Sequence, residues 1–161
     1  RASVGSSKFN YTRDHLFLNL LAPYTDDLSI EVKLLAGASN VEKTIWEADG
    51  YHQHVFEIGG KGSLRAYDWK ELTSSHFQLS TLEIWVVGIG FIYDRAILFE
   101  SPGNSFNSDF FSDLSNDFTK DVHQSAGISI GDEDFQISFY RRLKGDNQTV
   151  IYLTFGTPLP Y

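Results

Sequence analysis

The chain has no cysteine and no methionine among its 161 residues, and its 13 lysines and arginines are outnumbered by 21 aspartates and glutamates. Each shortage excludes something. Without cysteine there is no disulfide framework, thiolate zinc site, iron–sulfur cluster or cysteine nucleophile. The compartment stays open, because a disulfide-free domain of this size suits either a reducing or an oxidising environment. A formal net charge of -8 and a pI near 4.9 leave no cationic footprint for a phosphate backbone. Arg141-Arg142 is the only adjacent basic pair. Neither nucleic acid nor an anionic membrane surface is expected as a partner. No run approaches the roughly 18 apolar residues of a spanning helix. The richest stretch, 82–99, is broken by Glu83, Gly88, Gly90, Asp94 and Arg95. The lack of methionine and the start at Arg1 read as a processed product or a piece of a longer polypeptide, so a missing leader says little about targeting.

What is present is a folded-domain composition, 42% hydrophobic and 15% aromatic, enough for one substantial core. Period-2 alternation recurs along the chain. Leu28, Ile30, Val32 and Leu34 alternate with polar residues, as do Leu82, Ile84 and Val86 with Glu83, Trp85 and Val87. Phe135, Ile137 and Phe139 repeat the pattern, and further strands are expected at 15–21, 43–47, 52–58, 63–69, 91–99, 126–130 and 149–155. Turn residues punctuate the runs at Asp49-Gly50, Gly59-Gly60-Lys61-Gly62, Gly131-Asp132 and Gly145-Asp146-Asn147. In the segment 108–117, Phe110, Leu114 and Phe118 are spaced by four behind a capping Ser108, which predicts a short helix. The expected architecture is an all-β, antiparallel β-sandwich, jelly-roll-like, with that one short helix. Residues 1–8 form a flexible tail and 9–161 a single domain.

Two constellations stand out. If Leu82, Ile84 and Val86 face the core, Glu83 and Trp85 face away. On a strand at 63–69, Arg65, Tyr67 and Trp69 would likewise share one side. Aromatic rings with charged neighbours on an exposed sheet face suit a sugar, whose apolar face stacks while its hydroxyls accept and donate hydrogen bonds. The competing reading packs these aromatics into structure. The second constellation is His52-Gln53-His54 with Glu57, two imidazoles on one side of a strand that could chelate a metal. It resembles part of the cupin metal motif, with Glu57 one residue early and on the opposite face. Acidic repeats at Asp109, Asp113, Asp117 and Asp121, and the turn Asp132-Glu133-Asp134, offer oxygen ligands for calcium; a solvated stripe explains the first more simply, and no cofactor is expected. Asn10 and Asn147 begin glycosylation sequons.

Residues 28–99 resemble the farnesoic acid O-methyltransferase-type domain in the strand before Val55-Phe56-Glu57-Ile58-Gly59-Gly60, in Ser63 and Arg65 of the next segment, and in the pair Glu83 and Trp85. Lys61 stands where that family carries an aromatic. The resemblance implies a β-sandwich binding module, not a methyltransferase. The expected function is therefore non-enzymatic, lectin-like recognition of a carbohydrate or other small polar ligand by Arg65, Tyr67, Trp69, Glu83 and Trp85, in an extracellular protein; a cytoplasmic one is not excluded. Two alternatives use other features: a structural or assembly subunit of a capsid or coat, with another protein or a second copy as partner, and a cupin-like metalloenzyme or glycosidase.

Overall fold

The computed structural model describes residues 2–6, 9–25, 27–39, 56–99, 121–131 and 134–155, the first thirteen positions by backbone only. The alternating runs form β1 (Ala2–Ser6), β2 (Phe9–Thr25), β3 (Leu28–Ser39), β4 (Phe56–Ile58), β5 (Leu72–Ser74), β6 (His76–Val86), β7 (Ile89–Phe99), β8 (Asp121–Gly131), β9 (Phe135–Arg142) and β10 (Thr149–Phe155). Eight of them make one antiparallel sheet in the order β1-β2-β3-β6-β7-β8-β9-β10, and β4 and β5 pair separately. The fold is all-β and antiparallel, with two layers in the manner of a β-sandwich. Among the described residues its large sheet is a meander, interrupted by the excursion through β4 and β5. Among the described residues there is no helix. The expected helix at 108–117, the strand at 43–47 and residues 52–55 lie outside the described residues.

Residues 2–6, expected within a flexible tail, instead pair with β2 from Ala2↔Arg13 to Ser6↔Phe9. That ladder is made of backbone groups, so the small side chains of this segment gave no signal for it. The expected strand at 63–69 is also corrected. It runs as successive turns, and Ala66 sits in the left-handed region at φ 69°. Strand alternation therefore does not govern where Arg65, Tyr67 and Trp69 point.

The main correction concerns which face of the sheet is inside. Cross-strand partners share a face, and the register aligns Leu35, Leu79 and Ala96, and Gly37, Phe77 and Leu98, on one side. Onto this side the β4–β5 excursion lays Phe56, Ile58, Leu64 and Tyr67, making the principal core. Leu82, Ile84 and Val86 belong to the opposite face. Leu82 is 37% and Val86 41% exposed, and Phe91 and Ile128 in neighbouring strands share that exposure. Glu83 lies on the inner side at 8%. The physical reason is the covering segment. Leu64 supplies apolar area at one end and Arg65 supplies charge at the other, so an inner face carrying both Phe77 and Glu83 is satisfied.

Arg142 holds that cover down. Its Nε donates to the Ala66 carbonyl at 2.7 Å, Nη1 to Asp146 at 3.0 Å and Nη2 to Glu71, while its guanidinium lies 4.2 Å from the Tyr67 ring. Burial alone would lower the Arg142 pKa, but the Glu71 and Asp146 carboxylates raise it overall.

The β6–β7 connection is a two-residue turn in which Val87 and Gly88 both have positive φ, 46° and 76°. That geometry suits Asn-Gly, and a β-branched residue at its first position is strained. Val87→Asn keeps the amide that donates to the Asp27 carbonyl at 2.9 Å. It is expected to raise unfolding stability by about 1 kcal/mol, measured by urea denaturation.

Candidate functional site

The inward residues of the second half of β8 are small: Ser125, Gly127 and Ser129, followed by Gly131 at the strand end, aligned across β9 with Arg142, Tyr140, Ser138 and Gln136. Where the side chains are this short, the layers cannot meet. A cavity of ≈ 670 Å³ remains, lined by residues from Phe17 on β2 round to Thr154 on β10. The sheet therefore curls about it. Lys61, in the β4–β5 connection, reaches across to the Thr154 hydroxyl at 2.5 Å. The volume falls within the roughly 300–1,000 Å³ of small-molecule sites.

Of the five predicted ligand residues, Arg65, Glu83 and Trp85 line this cavity. They form one network. Arg65 Nη2 donates to Glu83 Oε1 at 2.5 Å, and Trp85 Nε1 to Glu83 Oε2 at 3.3 Å. Lys33 Nζ lies 3.5 Å from the same carboxylate and 2.9 Å from Glu31. Tyr67 is buried in the core against Arg142 and edge-on to His123 at 5.4 Å. Trp69 is 74% exposed, with Lys70 over its ring, and does not line the cavity. The exposed sheet face expected for all five is therefore replaced by an inner cavity that gathers three.

Asp94 completes the network without lining the cavity. It is fully buried. Its carboxylate accepts from Thr81 Oγ1 at 2.9 Å, the Arg65 backbone amide at 3.2 Å and Ser125 Oγ at 3.2 Å. Arg65 Nε is 3.7 Å away. Burial raises the Asp94 pKa, and Arg65 and the hydroxyl donors offset this only in part. For Glu83, burial alone would raise the pKa, but the charge and hydrogen bond of Arg65, with Lys33 and Trp85, hold it below its usual range. For Arg65, burial alone would lower the pKa, and the two carboxylates together raise it strongly.

Sequence reading missed Lys33, Gln136, Tyr140, Thr154 and the Ser138–Ser129–Tyr140 hydroxyl chain, whose links are 2.7 Å and 3.1 Å. Two usable signals were present. An Asp within the apolar strand Ile89–Phe99 demands buried partners. A second was the run of small residues at alternate positions in the latter half of β8, Ser125, Gly127, Ser129 and Gly131. Aromatic rings lie flat where a cross-strand glycine permits it. Trp85 pairs with Gly90, and a Cβ there would sit 2.8 Å from the indole; Tyr140 pairs with Gly127, where it would sit 2.2 Å from the ring.

Glu57 is paired with Lys70 at 2.5 Å, while His52 and His54 lie outside the described residues. No group of three or more His, Cys, Asp or Glu able to hold a metal converges among the described residues. Asp121 contacts His123 at 2.8 Å, Asp134 is exposed, and Asp109, Asp113, Asp117, Asp132 and Glu133 lie outside the described residues. Asn147 is exposed in the β9–β10 loop, and Asn10 lies on β2 opposite Gly5.

The fold and the cavity together define an all-β, antiparallel protein of the sandwich type with a partly open, largely apolar cavity that carries a few polar groups. The chain matches no known family model and no curated protein sequence.

Two outcomes follow from this geometry. Gly90→Ala is expected to tilt the Trp85 indole off β7, seen as a shifted tryptophan emission with a loss of about 1–3 kcal/mol of stability. Glu83 stabilises the fold fully above its ordinary pKa of 4.5, and this is lost as the pH falls through its lower folded value. Asp94, whose folded pKa is raised, works with the opposite sign, since protonation relieves its burial. Urea titrations of wild type and Glu83→Gln should therefore differ most above 4.5 and converge below it. A constant difference across that range would show that the ion pair contributes nothing.

Proposed function

We propose that the chain is a non-enzymatic binding module whose cavity takes a sugar or another small polar ligand. One observation carries the reading: the hydrogen-bonded set Arg65–Glu83–Trp85 stands on the wall of a ≈ 670 Å³ cavity. Trp85 offers a ring for stacking with its N–H already engaged. Glu83 and Lys33 offer an acceptor and donors, and Gln136, Ser129, Tyr140 and Thr154 add neutral polar groups opposite. A wall of one aromatic ring with hydrogen-bonding groups on several sides is complementary to a pyranose, which is apolar on its faces and polar at its rim. The resemblance of residues 28–99 to the farnesoic acid O-methyltransferase-type domain points the same way, and the sequons at Asn10 and Asn147 favour an extracellular setting. Recognition would rest on Arg65, Glu83 and Trp85, with Tyr67 anchoring the cover to the core and to Arg142.

The test is binding to an array of neutral and acidic mono- and oligosaccharides, followed by calorimetry on any hit. Gln136→Ala with Thr154→Val removes two lining hydrogen-bonding groups outside the core. The pair is expected to weaken a bound saccharide about tenfold or more. Trp85→Phe, which keeps a ring over Gly90, should weaken it less. A wild-type chain that binds no saccharide, or a hit untouched by both variants, would overturn this assignment.

A further inference from the structure

The strand β10 ends the sheet, and its outer edge has no neighbour among the described residues. Natural sheets guard such edges with lysine, proline, a bulge or a very short strand. β10 has none of these. Its seven residues, Thr149–Phe155, carry no charge and no proline, and they pair with β9 in an unbroken register from Thr149↔Arg141 to Phe155↔Phe135. Ile151 and Leu153 are each 60% exposed and Phe155 74%. They continue the apolar outer face carried by Ile128, Ile130 and Phe139. In a chain of net charge -8, a seven-residue uncharged edge stands apart.

The backbone phase of this edge is fixed. The Arg142 amide donates to the Gln148 carbonyl at 3.0 Å. Counting by twos along the register, Val150, Tyr152 and Thr154 bond to β9. The amides and carbonyls of Thr149, Ile151, Leu153 and Phe155 point outward.

We infer that β10 is the docking edge for a second copy of this chain, the two β10 strands pairing antiparallel about a two-fold axis at Tyr152. The register satisfies itself. Ile151 falls opposite the partner's Leu153 and Thr149 opposite the partner's Phe155. These are the residues with outward backbone groups, so each pair exchanges two hydrogen bonds. Tyr152 faces its own copy in a non-hydrogen-bonded pair. Every facing pair is uncharged, so the strand meets its own image without like-charge repulsion, and β-branched and aromatic neighbours favour the pairing. The same edge would bring the apolar outer faces of two copies side by side. It would also set the Thr154 rims of the two cavities on the same side of one continuous sheet.

The test uses the full 161-residue chain. In sedimentation equilibrium its mass should rise from 18.2 kDa towards twice that value as concentration increases. Leu153→Pro removes an outward amide and leaves the bonds to β9, since Leu153 does not donate to β9. Leu153→Lys places a guarding charge on the edge. Both should stay at 18.2 kDa with an unchanged circular dichroism spectrum. Because the chain has no native cysteine, Tyr152→Cys should form an intermolecular disulfide on mild oxidation: the facing Cα atoms of such a pair lie about 4.5 Å apart, within disulfide reach. Thr149→Cys, which faces the partner's Phe155, should cross-link far less. Three results would each overturn the inference: a wild-type chain that remains a monomer, a dimer that survives both Leu153 variants, or open-ended growth into fibres, which would mean that β10 meets a different edge of the next copy.

Discussion

Everything about the interior of this protein depends on one arginine placed between two buried carboxylates. Arg65 bonds to Glu83 and lies beside Asp94, and its own backbone amide donates to Asp94 as well. Removing such charges from water is expensive, and their mutual attraction offsets the cost only when the remaining hydrogen-bonding capacity is filled. Here most of it is filled: Thr81 and Ser125 bond to Asp94, and Lys33 and Trp85 to Glu83. The arrangement contributes position more than net stability. It fixes the turn segment at 63–67 over the sheet, and a cover so placed cannot shift without uncovering an unpaired charge.

The cavity follows from that placement and from side-chain size. At one end the cover meets Phe77, Leu79 and Leu98 and the layers pack tightly. At the other it is held off by ion pairs, and beneath it β8 presents only Ser125, Gly127 and Ser129. Glycines opposite Trp85 and Tyr140 let those rings lie flat along the wall. An apolar core and a partly open cavity thus occupy two ends of the same sheet face, separated by which partner the covering segment brings. Arg142, bound to the carbonyl of Ala66 and to Glu71, closes the second end of the cover in the same manner as Arg65 closes the first.

The opposite face has another logic. It carries Leu82, Val86, Phe91, Ile128, Phe139, Ile151 and Leu153 in the open. Among the described residues these side chains form one apolar stretch across neighbouring strands. The β10 edge lies at its border, so the proposed pairing of two β10 strands would combine backbone hydrogen bonds with apolar contact.

The sequence by itself determined where most strands run, because alternation is a local property: residues 149–155 and 91–99 were legible from pattern alone, and the turn at 143–148 from its Gly-Asp-Asn. It also determined which chemistries are absent, since a chain without cysteine cannot make thiolate sites. Of the site, Arg65, Glu83 and Trp85 were found as a group, but for a face supposed to be solvated. Alternation divides a strand into two sides and does not say which is covered. The aliphatic side of 82–86 looked like core because apolar residues usually are. Only the tertiary structure decided otherwise, by laying Leu64 and Arg65 over the Glu83 side and satisfying its charges there. The same cover drew Tyr67 into the core and left Trp69 outside. No local pattern could reveal that, because the segment from 63 to 67 is a run of turns whose direction is set by Arg142 and Asp94, far away along the chain.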